Sequence, residues 1–270
     1  MSAETEERIT VRIADGVADV RLNRPDKMNA LDDAMFQALI STGERLKTER
    51  GVRAVVLSGE GRAFCAGLDT SNFGRMASGQ RSGDRLLTVE RTARGANHAQ
   101  QAVMVWREVP VPVIAAVHGV AFGGGFQVAL GCDMRYVAPD TRMAVMEIKW
   151  GLVPDMAGVA LLRGLVRDDV ARELTYSGRM VSGEEALTLG LATRVCADPR
   201  AEALAFAAEI AGRSPDAIRG AKRLMNLAQT ASEAEILLAE SHEQAALIGS
   251  PNQVEAVMSA MEKRPAKFVG

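Results

Sequence analysis

Three consecutive glycines, Gly123, Gly124 and Gly125, follow an apolar run over 113–117 and precede a stretch of helical periodicity. Glycines in such a row let the backbone approach a neighbour closely or take positive φ. A helix that starts there directs unpaired N–H groups outward and attracts negative charge. The chemistry on offer is stabilisation of an anion by main-chain amides; the alternative is that the glycines only allow a helix and a strand to pack tightly. A second small-residue turn, 59–69, follows another apolar run, where α/β proteins bind ligands. Gly59 and Gly61 are not followed by a third glycine at dinucleotide spacing, and no Gly-Lys-Ser/Thr is present, so neither nucleotide loop is read here. Cys65, Cys132 and Cys196 are few and widely spaced, as reduced thiols are, and three histidines are too few for a His-rich metal centre, so no metal is expected.

The 270 residues are 47% hydrophobic and 24% charged, with a formal net charge of -2. That is ordinary globular composition and gives no general pull toward nucleic acid, so no nucleic-acid partner is expected. The first residues are polar and acidic, without the apolar core of a signal peptide. No run is long enough to cross a membrane, so a cytoplasmic protein without a membrane partner is expected.

The elements that must hold the two turns follow from periodicity. Val11, Ile13, Val17, Val20 and Leu22 alternate around Asp15-Gly16, which predicts a hairpin. After the loop 24–30, a helix begins at Leu31-Asp32, with Met35, Leu39 and Leu46 at helical spacing. Ala54, Val55, Val56 and Leu57 predict a strand buried on both faces. The run 113–117 predicts another, continuing through the glycines into a helix. Residues 70–92, rich in Gly, Ser and Arg, read as a long lid-like loop or a short irregular helix. A helix over 96–106, short strands over 133–137 and 142–145, a loop over 147–155 and a helix over 159–166 follow. Ser182-Gly183-Glu184-Glu185 is a capping box for a helix over 186–189 that Gly190 ends. From Pro199 onward only helical patterns remain. The organisation is therefore a core over 1–199 and a helical subdomain over 200–270, whose Leu237, Leu238, Ala245, Leu247 and Ile248 face either the chain's own core or a partner subunit.

Five motifs occur in order: Arg24-Pro25-x-x-x-Asn29-Ala30-Leu31, Phe64-Cys65-Ala66-Gly67-x-Asp69, His118-Gly119-x-x-x-Gly123-Gly124-Gly125, Gly190-Leu191-Ala192 and Glu262-Lys263-Arg264-Pro265. Together they resemble the crotonase (enoyl-CoA hydratase/isomerase) superfamily over nearly the whole chain. The resemblance implies an α/β fold, a crotonase-like spiral of β-β-α units with a C-terminal helical trimerisation subdomain, assembled as a homotrimer or homohexamer. It implies an acyl-CoA substrate, with coenzyme A as part of that substrate and no separate cofactor. It also implies an enolate-like thioester oxygen held by two backbone N–H groups, here those of Leu68 and Gly124. Preorganised amides of this kind contribute roughly 3 to 4 kcal/mol per donor in the transition state.

Hydrating an enoyl thioester or moving its double bond needs one group to take a proton and another to give one. In the hydratases of the family one glutamate stands two residues past the last glycine and a second stands in a later loop; here those positions are Gln127 and Glu147. A neutral amide can hold water or substrate but is not a general base. Asp155, eight residues after Glu147, stands where simple hydratases have glycine. The pair Glu147 and Asp155 resembles the dienoyl-CoA isomerase subgroup, which also carries an aspartate where Gln127 stands. Glu147, Asp155 and Gln127 are thus the expected catalytic set, with a lean toward isomerisation over hydration. The competing reading is a catalytically silent acyl-CoA-binding or RNA-associated member. Read without the family, Glu147 is a loop charge or an ion-pair partner of Arg142, and Asp155 is a helix cap. Arg24, Lys27, Ala66 and Asp69 are the expected coenzyme A contacts, with Arg24 and Lys27 on phosphate or simply solvated. His118 is expected to be packed and hydrogen-bonded, and Trp150 to line an acyl pocket or fill the core.

Overall fold

The hairpin forms as β1 (Ile9–Ala14) and β2 (Val17–Leu22), antiparallel around Asp15 and Gly16, which have φ of 50° and 80°. The structure, a computed structural model, describes residues 7–78, 86–87 and 89–270. From β2 the sheet continues in parallel through β3 (Ala54–Gly59), β4 (Val113–Val117), β6 (Met134–Val137) and β8 (Arg194–Val195), in the order β1-β2-β3-β4-β6-β8. Every residue of β3 and β4 is buried, as their unbroken apolar runs require.

The stretch 113–127 differs from expectation. It is not one strand leading into a helix. Gly119, at φ 63°, turns the chain after β4 so tightly that a Cβ there would stand 2.0 Å from the Arg62 carbonyl oxygen. The chain then enters a short strand, β5 (Val120–Phe122), which pairs in parallel with β7 (Arg142–Ala144) in a separate two-stranded sheet.

Helices cover both faces of the main sheet. α1 (Asp33–Thr48) starts at Asp32, whose carboxylate accepts from the Met35 amide, and buries Met35, Leu39 and Leu46 as their spacing predicts. It lies against α3 (His98–Glu108), and at Gly43 a Cβ would meet Val105 at 2.4 Å, so only glycine allows this approach. α2 (Thr70–Ala77) occupies the first part of the expected lid, and the middle of that loop lies outside the described residues. α4 (Gly124–Gly131) is buried along its whole length behind the glycines. The larger core gathers Trp106, Phe64, Phe126, Leu57 and Val117 on this side.

On the opposite face α8 (Pro199–Ala211) lays Ala203, Ala207 and Ala211 on Val17, Ala54, Val56, Ile114 and Ala116. The first helix of the region read as a C-terminal subdomain thus closes the sheet. In the chain between α4 and α8 come α5 (Gly158–Leu162), shorter than predicted, α6 (Asp168–Ser177), which sequence periodicity missed, and α7 (Gly183–Leu189). Ser182 caps α7 by accepting from the Glu185 amide, and Gly190 ends it at φ 88°.

α9 (Pro215–Leu227), α10 (Glu233–Leu247) and α11 (Pro251–Met261) complete the chain. α9 is tied to the core by Lys222, whose Nζ donates to the Val111 carbonyl at 2.8 Å and to Asp133 Oδ2 at 2.7 Å. α10 buries no residue, and Leu237, Leu238 and Ile248 are 55%, 60% and 67% exposed, so they do not face the chain's own core. Among the described residues no helix is long and apolar enough to cross a membrane.

Candidate active site

The two small-residue turns meet. Cys65 N donates to the Val120 carbonyl at 3.0 Å and Phe122 N to the Cys65 carbonyl at 3.1 Å, which stitches the 59–69 turn onto β5. Gly67, at φ 89°, is thereby pressed against the glycine run: a Cβ on it would lie 2.5 Å from the Phe122 carbonyl oxygen and 3.7 Å from the Gly124 amide nitrogen. Leu31 N donates to the Gly67 carbonyl at 2.8 Å and Asp69 N to the Leu31 carbonyl at 3.0 Å, which fixes the backbone on either side of Leu68. Neither the Leu68 nor the Gly124 N–H has a hydrogen-bond partner among the described residues. Two unpartnered amides on neighbouring turns, one of them at the first position of α4, are an arrangement that can hold an anion.

Glu147 opens a short 3₁₀ turn (Glu147–Trp150) and sits over the first glycine, where a Cβ on Gly123 would lie 3.3 Å from its Oε1. Glu147 pairs with Gln127, not with Arg142: Gln127 Nε2 donates to Glu147 Oε1 at 2.6 Å. Glu147 Oε2 is buried and has no hydrogen-bond partner among the described residues. Burial pushes the Glu147 carboxyl above its ordinary value, and the charge of Asp155 adds to the effect against the hydrogen bonds from the local main chain and Gln127. A desolvated carboxylate close to an anion hole has the character of a general base.

Gln127, expected to position water or substrate, is engaged otherwise. Its Oε1 accepts from the Met156 amide at 2.9 Å and the Gly158 amide at 2.8 Å, and the residue is 1% exposed. Asp155 does not cap α5, whose N-cap is Ala157 with no side-chain hydrogen bond. Although Asp155 counts as exposed by surface area, enough protein crowds its carboxyl for desolvation to push its pKa up. Glu147 and Asp155 are thus two acids with raised pKa, close enough for the charge of Asp155 to act on Glu147.

The expected coenzyme A contacts divide. Arg24 is turned inward: its Nη1 donates to Asp69 Oδ2 at 2.5 Å and to the Ala30 carbonyl at 3.1 Å. The Ser71 amide, with the Ser71 side chain and Arg24 behind it, holds the Asp69 carboxyl down at about 2 against opposing burial. Arg24 and Asp69 thus brace the turn that carries Leu68, each meeting the other's charge. Lys27 is exposed on a 3₁₀ turn (Pro25–Lys27). Ala66 is half-buried, its amide donating to the Met28 carbonyl at 2.9 Å. His118 is hydrogen-bonded as expected, its Nε2 lying 2.9 Å from the Gly61 carbonyl oxygen. Trp150 does not fill the core: it is 51% exposed, with Ile148, Leu152, Val153 and Val159 exposed along the same segment.

Two contributors escaped the sequence. Asn29, fully buried at φ 56°, accepts from Arg24 N at 2.8 Å and donates to the Glu60 and Ala63 carbonyls at 3.0 and 2.8 Å, locking the first loop onto the 59–69 turn. Its place in the first motif, and asparagine's tolerance of positive φ, were the available signals. Gly158 was the other: a Cβ there would meet Gln127 Oε1 at 2.6 Å.

An α/β spiral of this topology, with a desolvated glutamate over its glycine turn, is the architecture of a crotonase-type enzyme. The chain belongs to the enoyl-CoA hydratase/isomerase family, whose model matches residues 12–270. A probable enoyl-CoA hydratase of Mycobacterium tuberculosis is 35% identical over 262 residues, covering 97% of this chain and 99% of the relative. The mitochondrial Delta(3,5)-Delta(2,4)-dienoyl-CoA isomerase of Mus musculus is 33% identical, covering 94% of this chain and 79% of the relative. Among solved structures, a putative enoyl-CoA hydratase from Streptomyces coelicolor superposes with a TM-score of 0.88 at 34% identity, over 100% of this chain and 97% of the other.

Proposed function

We propose that this enzyme shifts a double bond in an acyl-CoA thioester through an enolate-like intermediate, with Glu147 and Asp155 dividing proton removal and delivery. The supporting observation is the orientation of Gln127. Two backbone N–H groups converge on its Oε1, so its NH₂ must face Glu147. Where a hydratase of the family carries its first glutamate, this chain carries a fixed donor with no proton to exchange. The acid that acts electrostatically on Glu147 is Asp155. Ionised Glu147 takes a proton from a carbon activated by the thioester carbonyl. The negative charge moves to the carbonyl oxygen between the Leu68 and Gly124 amides, and Asp155 returns a proton further along the chain. The chemistry draws on no cofactor beyond the substrate's own coenzyme A, for which Lys27 and Ala66 are the contacts we favour. The exposed apolar residues of α10 support a trimer or a dimer of trimers.

The test is turnover of 2-enoyl-CoA, 3-enoyl-CoA and 3,5-dienoyl-CoA by wild type, Glu147→Gln, Asp155→Asn and Gln127→Glu. Isomerisation by wild type, abolished by Glu147→Gln, is expected. Hydration of 2-enoyl-CoA alone would refute the reading. Tight acyl-CoA binding with no turnover would point to the silent-binder alternative.

A further inference from the structure

Gln127 connects two parts of the site that are otherwise separate. At one end, Nε2 holds Glu147 Oε1; at the other, Oε1 receives the Met156 and Gly158 amides, which flank Ala157. Ala157 takes φ 68° and ψ 6°, a left-handed conformation that is unfavourable for a residue with a Cβ. It turns the amides before and after it toward one point, making a small concave nest of the kind that binds acceptor oxygens. The nest is filled by the Gln127 oxygen, and Gly158 has no Cβ to displace it. Asp155 is the residue next to this nest, so the same side chain that holds Glu147 also anchors the backbone that carries Asp155.

We infer that Gln127 is the positioning residue of the acid pair: it fixes the spacing of Glu147 and Asp155 and confines the exchangeable proton of Glu147 to Oε2. The second part follows from donor and acceptor roles. With its oxygen committed to two N–H groups, Gln127 presents N–H to Glu147 Oε1, and an oxygen facing a donor cannot itself carry a proton toward it. Oε2, buried without a partner, is left as the atom that gains and loses the proton. Asp155, Gln127 and the local main chain are the polar and titratable groups that set the charge state of Glu147. This inference rests on the assignment of Glu147 as the base, but not on which double bond moves.

The experiment follows the Glu147 carboxyl in the ligand-free full-length protein by ¹³C NMR, assigned by its loss in Glu147→Gln, alongside pH profiles of kcat/KM. Removing the donor in Gln127→Leu withdraws a hydrogen bond that favours the ionised form. The Glu147 titration midpoint is expected to rise by about one unit, and the acid limb of kcat/KM to rise with it. Gln127→Glu keeps an oxygen for the nest but sets a second carboxylate against Glu147, so its midpoint rises as well. That variant carries the test if Gln127→Leu fails to fold. A midpoint that stays in place or falls in whichever variants fold would overturn the inference. Because the titration needs no substrate, it stands even if wild type proves inactive on every thioester tried, an outcome that would count only against the isomerase reading.

Discussion

Gly67 rests against the Phe122 carbonyl so closely that a methyl group on it would stand 2.5 Å from the oxygen, and the same methyl would lie 3.7 Å from the Gly124 amide nitrogen. Gly67→Ala therefore has nowhere to put its side chain, and its φ of 89° adds backbone strain. Pushing the two turns apart should lower kcat by at least about a hundredfold, the usual loss for one donor of an anion hole. Leu68→Ala, which leaves the amide in place, should retain most of the activity. Steady-state kinetics on both variants checks the pair, and equal losses would show that the Leu68 side chain matters more than its main chain.

Glu147→Gln should reduce turnover by roughly two to four orders of magnitude, the range for losing a positioned acid-base group. Its effect on stability has the opposite sign. The folded protein holds the Glu147 proton more tightly than the unfolded chain, so the native state loses stability as pH rises through the interval between the unfolded and folded pKa values. Above that interval the variant should be more stable than wild type, and the difference should close as pH falls below the unfolded value. Urea melts at acid and neutral pH test the sign.

Wild-type kcat/KM should fall as pH drops through the raised pKa of Glu147, with the midpoint above the ordinary glutamate value of 4.5. Should Asp155 donate, a second, basic limb marks its ionisation, and Asp155→Asn should lower isomerisation by about tenfold or more while removing that limb. The same substitution should not lower thermal stability and should raise it at neutral pH, because Asp155 makes no side-chain cap to α5 and the folded state holds its carboxylate at a cost. A large loss of melting temperature would show that Asp155 has a structural role instead.

Lys222 is 7% exposed and donates to two main-chain carbonyls as well as to Asp133, which in turn accepts from Val113 N at 2.7 Å. Lys222→Met leaves Asp133 without its counter-charge and should cost about 3 kcal/mol in chemical denaturation. Adding Asp133→Asn should recover part of the loss, since an unpaired charge accounts for much of it.

The buried strands, the hairpin and the two glycine turns were legible because each rests on local pattern: unbroken apolar runs, alternation, or glycine where φ is positive. Glu147 was singled out through the family resemblance, which implies a glutamate in the loop after the glycines. What the sequence hid is long-range. Arg24 and Asp69 read as ligand contacts because nothing local reveals that they face each other across the loop. Gln127 read as a holder of water because its two amide donors come from residues 29 and 31 positions further along the chain. The strand β5 was missed because it is only three residues long and forms by pairing with β7. α6 was missed because it is short and polar overall, with only Val170, Ala171 and Leu174 marking its apolar side.

The proposed anion hole is made of peptide groups, held by Gly67 and the β5 stitching and braced from behind by Arg24, Asp69 and Asn29. On the proposed mechanism, substitution at 127, 147 or 155 therefore redirects proton traffic without dismantling the socket that receives the oxyanion. A scaffold of this kind separates the part that makes the intermediate possible from the part that decides its fate, so new reactions on it are a matter of three exchangeable side chains, not of rebuilding the fold.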